Sequence, residues 1–169
     1  MTVKDLELLY DYGYWANKKL LAVISQLAPE DFARSVAGSY GSVRNTMVHV
    51  LSAEAGWLER CGGPRRGPRL NSADFPTVES VVQASNKVEQ QLREFLTTLH
   101  DDDLARCVDF SIGDTGRHSM PLGELLHHAA THGVHHRGQI ALLLRSLGQV
   151  PGNVDILFYY AERLGVAPP

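Results

Sequence analysis

Five of the chain's eight histidines fall between His127 and Gln139, in the run HHAATHGVHHRGQ. The run sits inside a longer helical pattern over residues 122–147. At about 100° per residue, with His128 set at zero, the apolar positions occupy a stripe at roughly 60–160°. Leu122, Leu125, Leu126, Ala129, Ile140 and Leu144 all belong to it. On the same wheel His136 falls at about 80° and His132 at about 40°. His136 therefore points to the core side and His132 lies at its edge. His128 and His135 sit near the margin, and His127 points well away.

Residues four apart on a helix are neighbours, with Cβ atoms about 5–6 Å apart. Two imidazoles at that spacing can hold one metal ion, as in the HxxxH half of zinc-binding helices. Burying two neutral histidines without partners is costly, and a metal ion supplies a partner to both. The simpler arrangement, and the more frequent one for an isolated HxxxH, is a pair of core histidines hydrogen-bonded to backbone or carboxylate.

The rest of the chain narrows the choice. Its 169 residues suffice for one compact domain spanning 1–169. An apolar content of 44% is too high for a disordered chain. A net charge of −3, with acids and bases interspersed, gives no general attraction to nucleic acid. No apolar run approaches the roughly 18 residues of a membrane span. The N-terminus carries acids in its first turns and has no signal-peptide layout. Cys61 and Cys107 stand alone, without a CxxC pattern, and read as ordinary small side chains. A cytoplasmic protein with no membrane or nucleic-acid partner is the expectation.

Four long helical patterns order the chain. The first covers residues 2–27, with Thr2 and Asp5 in capping-box spacing and Gly13 marking close packing or simple tolerance. A helical turn starts at Pro29. The second long helix runs over 43–60 behind Ser42 as N-cap. It carries His49 on the flank of its apolar stripe, beside the small Ala53 at i+4. A Gly-, Pro- and Arg-rich loop follows over 61–77. Its Arg65, Arg66 and Arg69 read first as a solvated basic loop and second as an anion-steering patch. The third helix covers 77–100, capped by Thr77, with His100 at its C-terminal end near the helix dipole. Residues 107–112 alternate apolar and polar, and Gly113-Asp114-Thr115-Gly116 forms a turn, so a short hairpin returning over 117–120 is expected. The histidine helix comes next and stops at Gly148. A final helix is expected from the apolar run 154–160.

Three blocks carry a resemblance. YDYGYWANKKLL (10–21), GSVRNTMVHVLSAEAGWLER (41–60) and LLHHAATHGVHHRGQIALLLRSLGQVPG (125–152), followed by Asp155 to Tyr159, closely resemble the DinB family of metal-binding four-helix bundles. The THGVHHRGQ block is the specific part and the WAN block supports it. The resemblance implies an all-α, up-down-down-up four-helix bundle with a long crossover; the hairpin is a small insertion between helices. It also implies a divalent metal ion held by three histidines, one on the second long helix and two on the histidine helix. The matching positions are His49, His132 and His136. A homodimer is implied as well.

Three neutral imidazoles leave a divalent ion its full charge and at least one open position. Water bound there becomes a nucleophile, whereas a bound thiol is readily deprotonated. Metal-assisted hydrolysis of a small molecule and thiol transfer are therefore both open, and a non-catalytic metal-binding stress-response module is the third reading. Zinc or nickel suits the nitrogen donors. Glu54, Asp155 and Tyr159 are candidate acid/base or supporting groups, although capping or solvated roles are the simpler reading for each. His128 and His135 either orient the ligands or merely flank them. The substrate is not legible.

Overall fold

The computed structural model describes residues 1–65 and 67–167. Its elements are α1 (Val3–Ile24), α2 (Pro29–Ala33), α3 (Val43–Arg60), α4 (Val78–Thr97), β1 (Cys107–Ser111), β2 (Arg117–Pro121), α5 (Leu122–Ser146) and α6 (Ile156–Leu164). Short 3-10 turns lie at Ser72–Asp74 and Asp101–Ala105. The helix starts follow side-chain capping. Thr2 and Asp5 form the expected reciprocal box, and the hydroxyls of Ser42 and Thr77 accept from the backbone N–H of Asn45 and Ser80.

Cross-helix contacts fix the directions. Tyr10 Oη donates to the Leu126 carbonyl at 2.8 Å, and Arg137 Nη1 donates to Asn17 Oδ1 at 3.4 Å, so α1 and α5 run parallel. Arg93 meets Asp11 and Lys18 meets Glu89, so α4 runs against α1. His49 packs on His136 and Trp57 on His128, so α3 runs against α5. The order is up-down-down-up, an all-α four-helix bundle. Since α3 and α4 are parallel, the chain must cross the length of an 18-residue helix, about 27 Å, between them. The loop 61–77 makes that crossing. β1 and β2 form the antiparallel hairpin, with Phe110 opposite His118.

Two apolar layers fill the bundle. One gathers Leu6, Tyr10, Trp57, Leu92, Leu122 and Leu126; the other gathers Leu20, Ile24, Met47, Leu51, Ile140 and Leu144. Along α5 the first layer ends at Ala130 and the second resumes at Ile140. Between them α5 carries His132, His136 and a buried Arg137. A polar layer thus interrupts the core.

Three local differences from the sequence expectations have structural causes. His100 does not serve the C-terminus of α4. Its backbone N–H donates to Asp103 Oδ2 at 2.8 Å, which opens the following 3-10 turn, and its imidazole is exposed 3.7 Å from the same carboxylate. His127 is half-buried although the wheel turns it outward, because the hairpin folds over that side of α5. The last helix begins at Ile156 rather than 154, since Asp155 caps it. Cys61 and Cys107 are both free thiols, the first buried and the second exposed. Arg66 lies outside the described residues.

Candidate metal centre

Antiparallel packing of α3 on α5 brings the three expected histidines together. Each of His49, His132 and His136 offers a ring nitrogen, and these donors all lie within 4.8 Å of one another. The imidazoles of His132 and His136 meet through their Nε2 atoms at 3.1 Å. Tetrahedral coordination with Zn–N bonds of about 2.0–2.1 Å separates neighbouring ligand nitrogens by about 3.3 Å. The spacing is thus that of two ligands of one ion. His136 is buried, and His49 and His132 are half-buried.

The hydrogen bonds set the tautomer. His136 Nδ1 lies 2.7 Å from Gln139 Oε1. An amide oxygen only accepts, so Nδ1 carries the proton and Nε2 presents its lone pair to the centre. Gln139 Oε1 also accepts from Ser39 Oγ at 2.7 Å, and its amide nitrogen donates to His135 Nε2 at 2.9 Å. His135 thus supports the ligand set from outside. Ser39 adopts a left-handed φ of 49°, unusual for a residue with a Cβ. Its bonds to Gln139 and to Thr46 hold that conformation and place Tyr40 over His49, with ring centroids 3.9 Å apart.

Burial lowers the pKa of His49 to about 4, with repulsion from His136 and Arg69 adding to it. Burial likewise takes His132 to about 4, followed by the neighbouring His136, His49, His128 and His135. His136 is also lowered by burial, against the pull of its bond to Gln139. Near neutral pH all three rings are therefore uncharged, so a cation would not have to compete with an imidazolium charge. Among the described residues His49 Nε2 is buried without a hydrogen-bond partner. A buried imidazole nitrogen left unpaired costs free energy that a cation among the three rings would recover. The residues fit a divalent ion on that ground as well as on spacing.

The three acid/base candidates sit elsewhere. Glu54 is buried and turned toward α1, where Tyr14 Oη donates to its Oε1 at 2.5 Å. Burial raises its pKa, against that hydrogen bond and the charge of Arg137. Arg137 occupies the same layer, and the missing Cβ atoms of Gly13 and Gly133 leave room for its guanidinium. Asp155 spends its carboxylate on the α6 N-terminus, accepting from Leu157 N–H at 2.9 Å. Tyr159 packs on Tyr12 and Trp15. None of the three lines the cavities that expose His49 and His132. His128 does line one of them, exposed beside His132 and edge-on to Trp57.

The DinB family profile matches residues 1–164. The chain belongs to the DinB family. It is similar to Protein DinB of Bacillus subtilis (strain 168), at 24% identity over 156 residues, covering 89% of this chain and 91% of that one. It is equally similar to the uncharacterized protein YizA of the same organism, at 24% identity over 148 residues and 88% and 91% coverage. Among solved structures, a DinB-like protein from Bacillus cereus ATCC 10987 matches with a TM-score of 0.75 at 23% identity, covering 91% of this chain and 98% of that one. An uncharacterised protein from Escherichia coli UTI89 matches with a TM-score of 0.58 at 16% identity and 88% and 95% coverage. These structural matches establish the shared fold.

Sequence reasoning did not single out Tyr40, Ser39 or Gln139. The signal for Gln139 was present, since it stands at i+3 from His136 on the same helix. Tyr40 lay in a loop, and nothing local assigns a loop ring to a histidine nine residues on.

Proposed function

We propose that the protein binds one divalent metal ion, zinc or nickel, through His49, His132 and His136, and hydrolyses a small molecule there. The observation that carries this reading is the convergence of three neutral imidazoles from two helices, one of which, His49, has a buried nitrogen without a partner among the described residues. An ion bound to them supplies Lewis acidity and acidifies water at an open coordination position. The chain's own residues do the rest. Gln139 holds the His136 ring in the productive tautomer. Tyr40 covers one face of the His49 ring. His128, exposed on the cavity wall beside His132, is the group we assign to proton transfer during hydrolysis. Glu54 belongs to the buried layer with Tyr14 and Arg137, and we assign it a structural role.

The test is an ester, amide and phosphoester panel run beside a thiol-conjugation assay, on protein loaded with zinc, with nickel or stripped of metal. Metal-dependent hydrolysis supports the proposal, and His128→Gln then lowers turnover while metal content stays stoichiometric. Thiol conjugation without hydrolysis would replace the reading with a thiol-dependent transferase. Stoichiometric metal with neither activity would leave a non-catalytic binding module. No helix among the described residues is long and apolar enough to cross a membrane. A cytoplasmic location and a homodimer belong to the proposal too, the latter to be checked by sedimentation equilibrium.

A further inference from the structure

The histidine cluster opens onto a charged wall and an apolar recess that the metal reading leaves unused. One face of α3 presents His49, Ser52, Ala53, Trp57 and Arg60 in succession, at helical spacing. With Arg69 from the crossover loop and His132 from α5, they line a cavity of about 310 Å³. Arg69 also lines the adjoining cavity of about 450 Å³ beside His49 and Tyr40. Neither cavity has an aspartate or glutamate among its described lining residues. Among the described residues no ion pair neutralises Arg69. The Arg60 guanidinium lies 5.1 Å from the Trp57 ring centroid, which fixes its stem against the wall.

Beyond Trp57 and His128 lies a larger recess of about 650 Å³ under the hairpin. Its walls include the apolar Trp57, Phe110, Ile112, Met120 and Leu125, with one carboxylate, Glu124, and the imidazoles of His118 and His127. Ile112 and Met120 are 48% and 47% exposed, a poor use of large apolar side chains unless something covers them. Trp57, Ile112 and His128 belong to both cavities, so the recess and the arginine-lined space are continuous at the histidines. The combined shape is apolar at one end and cationic at the other, in the size range of small-molecule sites.

We propose that this trough selects a small amphipathic anion: an apolar, ring- or chain-bearing body in the recess under the hairpin, and one anionic group held by Arg69 with Arg60. The labile bond of such a molecule would lie between the two ends, beside His49 and His132. The chemistry of the inference rests on the hydrolase reading; the binding does not. Arg69 is a specificity determinant, since a planar guanidinium pairs with a carboxylate in bidentate fashion.

The experiment titrates ω-phenyl carboxylates from benzoate to 6-phenylhexanoate, and the matched ω-phenyl amines, into the full chain by calorimetry, with metal and without. Carboxylates of intermediate length are expected to bind at least tenfold more tightly than the amines of equal length. That preference persists in metal-free protein, because Arg69 rather than the ion creates it. Arg69→Ala removes it, Arg69→Lys restores part of it, and Met120→Asp weakens every phenyl-bearing ligand. Equal binding of amines and carboxylates to the metal-free protein, an unaltered preference in Arg69→Ala, or no binding by any member of the series would each overturn the inference. Carboxylate binding without hydrolysis of any ester would leave it standing and remove the hydrolase reading. Metal-dependent hydrolysis of neutral esters with no anion preference would do the reverse.

Discussion

Replacing Gln139 with leucine removes an acceptor without removing a ligand. In the structure Gln139 Oε1 accepts from His136 Nδ1–H at 2.7 Å and from the Ser39 hydroxyl at 2.7 Å. Leucine is close in size and makes neither bond. The His136 ring then loses what fixes its tautomer, and its Nε2 spends part of its time protonated or turned away. Partners of this kind carry about 10–100-fold in metal affinity. At about 1.4 kcal/mol per decade, that range is about 1.4–2.8 kcal/mol. Loss of one neutral hydrogen bond alone accounts for about 1 kcal/mol, so the upper part of that range requires a contribution from ring orientation. Competition titration of zinc against a chromophoric chelator measures it, with circular dichroism confirming that the helices persist. Gln139→Glu keeps an acceptor opposite Nδ1 and is expected to hold affinity at or above the wild-type level. An unchanged zinc affinity in Gln139→Leu would refute the claim that this side chain presents His136 to the ion.

Two glycines on α5 predict opposite signs for one substitution. A Cβ at Gly133 meets Arg137 Nη1 at 2.9 Å, and that guanidinium is buried and cannot swing into solvent, so Gly133→Ala should destabilise by about 1–3 kcal/mol in urea unfolding. A Cβ at the exposed Gly138 meets nothing within 4 Å among the described residues, so Gly138→Ala should stabilise by about 1 kcal/mol through helix propensity. Leu144 is fully buried in the second apolar layer, and Leu144→Ala should cost about 2–5 kcal/mol in the same assay. Cys107 should react promptly with a thiol reagent at pH 8, whereas Cys61, buried and with its pKa pushed up to about 11, should react only on unfolding; two fast thiols would contradict the packing.

Much of the fold was legible because its signals are local. Thr2 with Asp5, Ser42, and Thr77 announce helix starts through hydrogen bonds that span three residues, and the helices begin where those caps place them. The inward turn of His132 and His136 followed from one helix's periodicity. Their meeting with His49 did not, since it depends on α3 packing antiparallel on α5; only the family resemblance supplied it. The same limit explains the acid/base candidates. Glu54 faces Tyr14 and Arg137 from two other helices, and Tyr159 takes its place only when α6 docks beside α1, whereas the capping role of Asp155 is local and follows the simpler reading of that residue. Arg69 read first as one of several solvated loop arginines, and its place on the cavity wall depends on how the crossover folds back over α3. His127 was turned outward on the wheel because a wheel does not know that a hairpin covers that side.

The central claim is that rings from α3 and α5 hold one ion between them. Tag-free protein should be stripped, loaded with zinc or nickel, and assayed for metal per chain by elemental analysis. Wild-type protein and His127→Ala should each hold one ion, while His49→Ala, His132→Ala and His136→Ala should each hold far less. A wild-type chain that takes up no ion, or a His136→Ala chain that keeps it while His127→Ala loses it, would contradict the account.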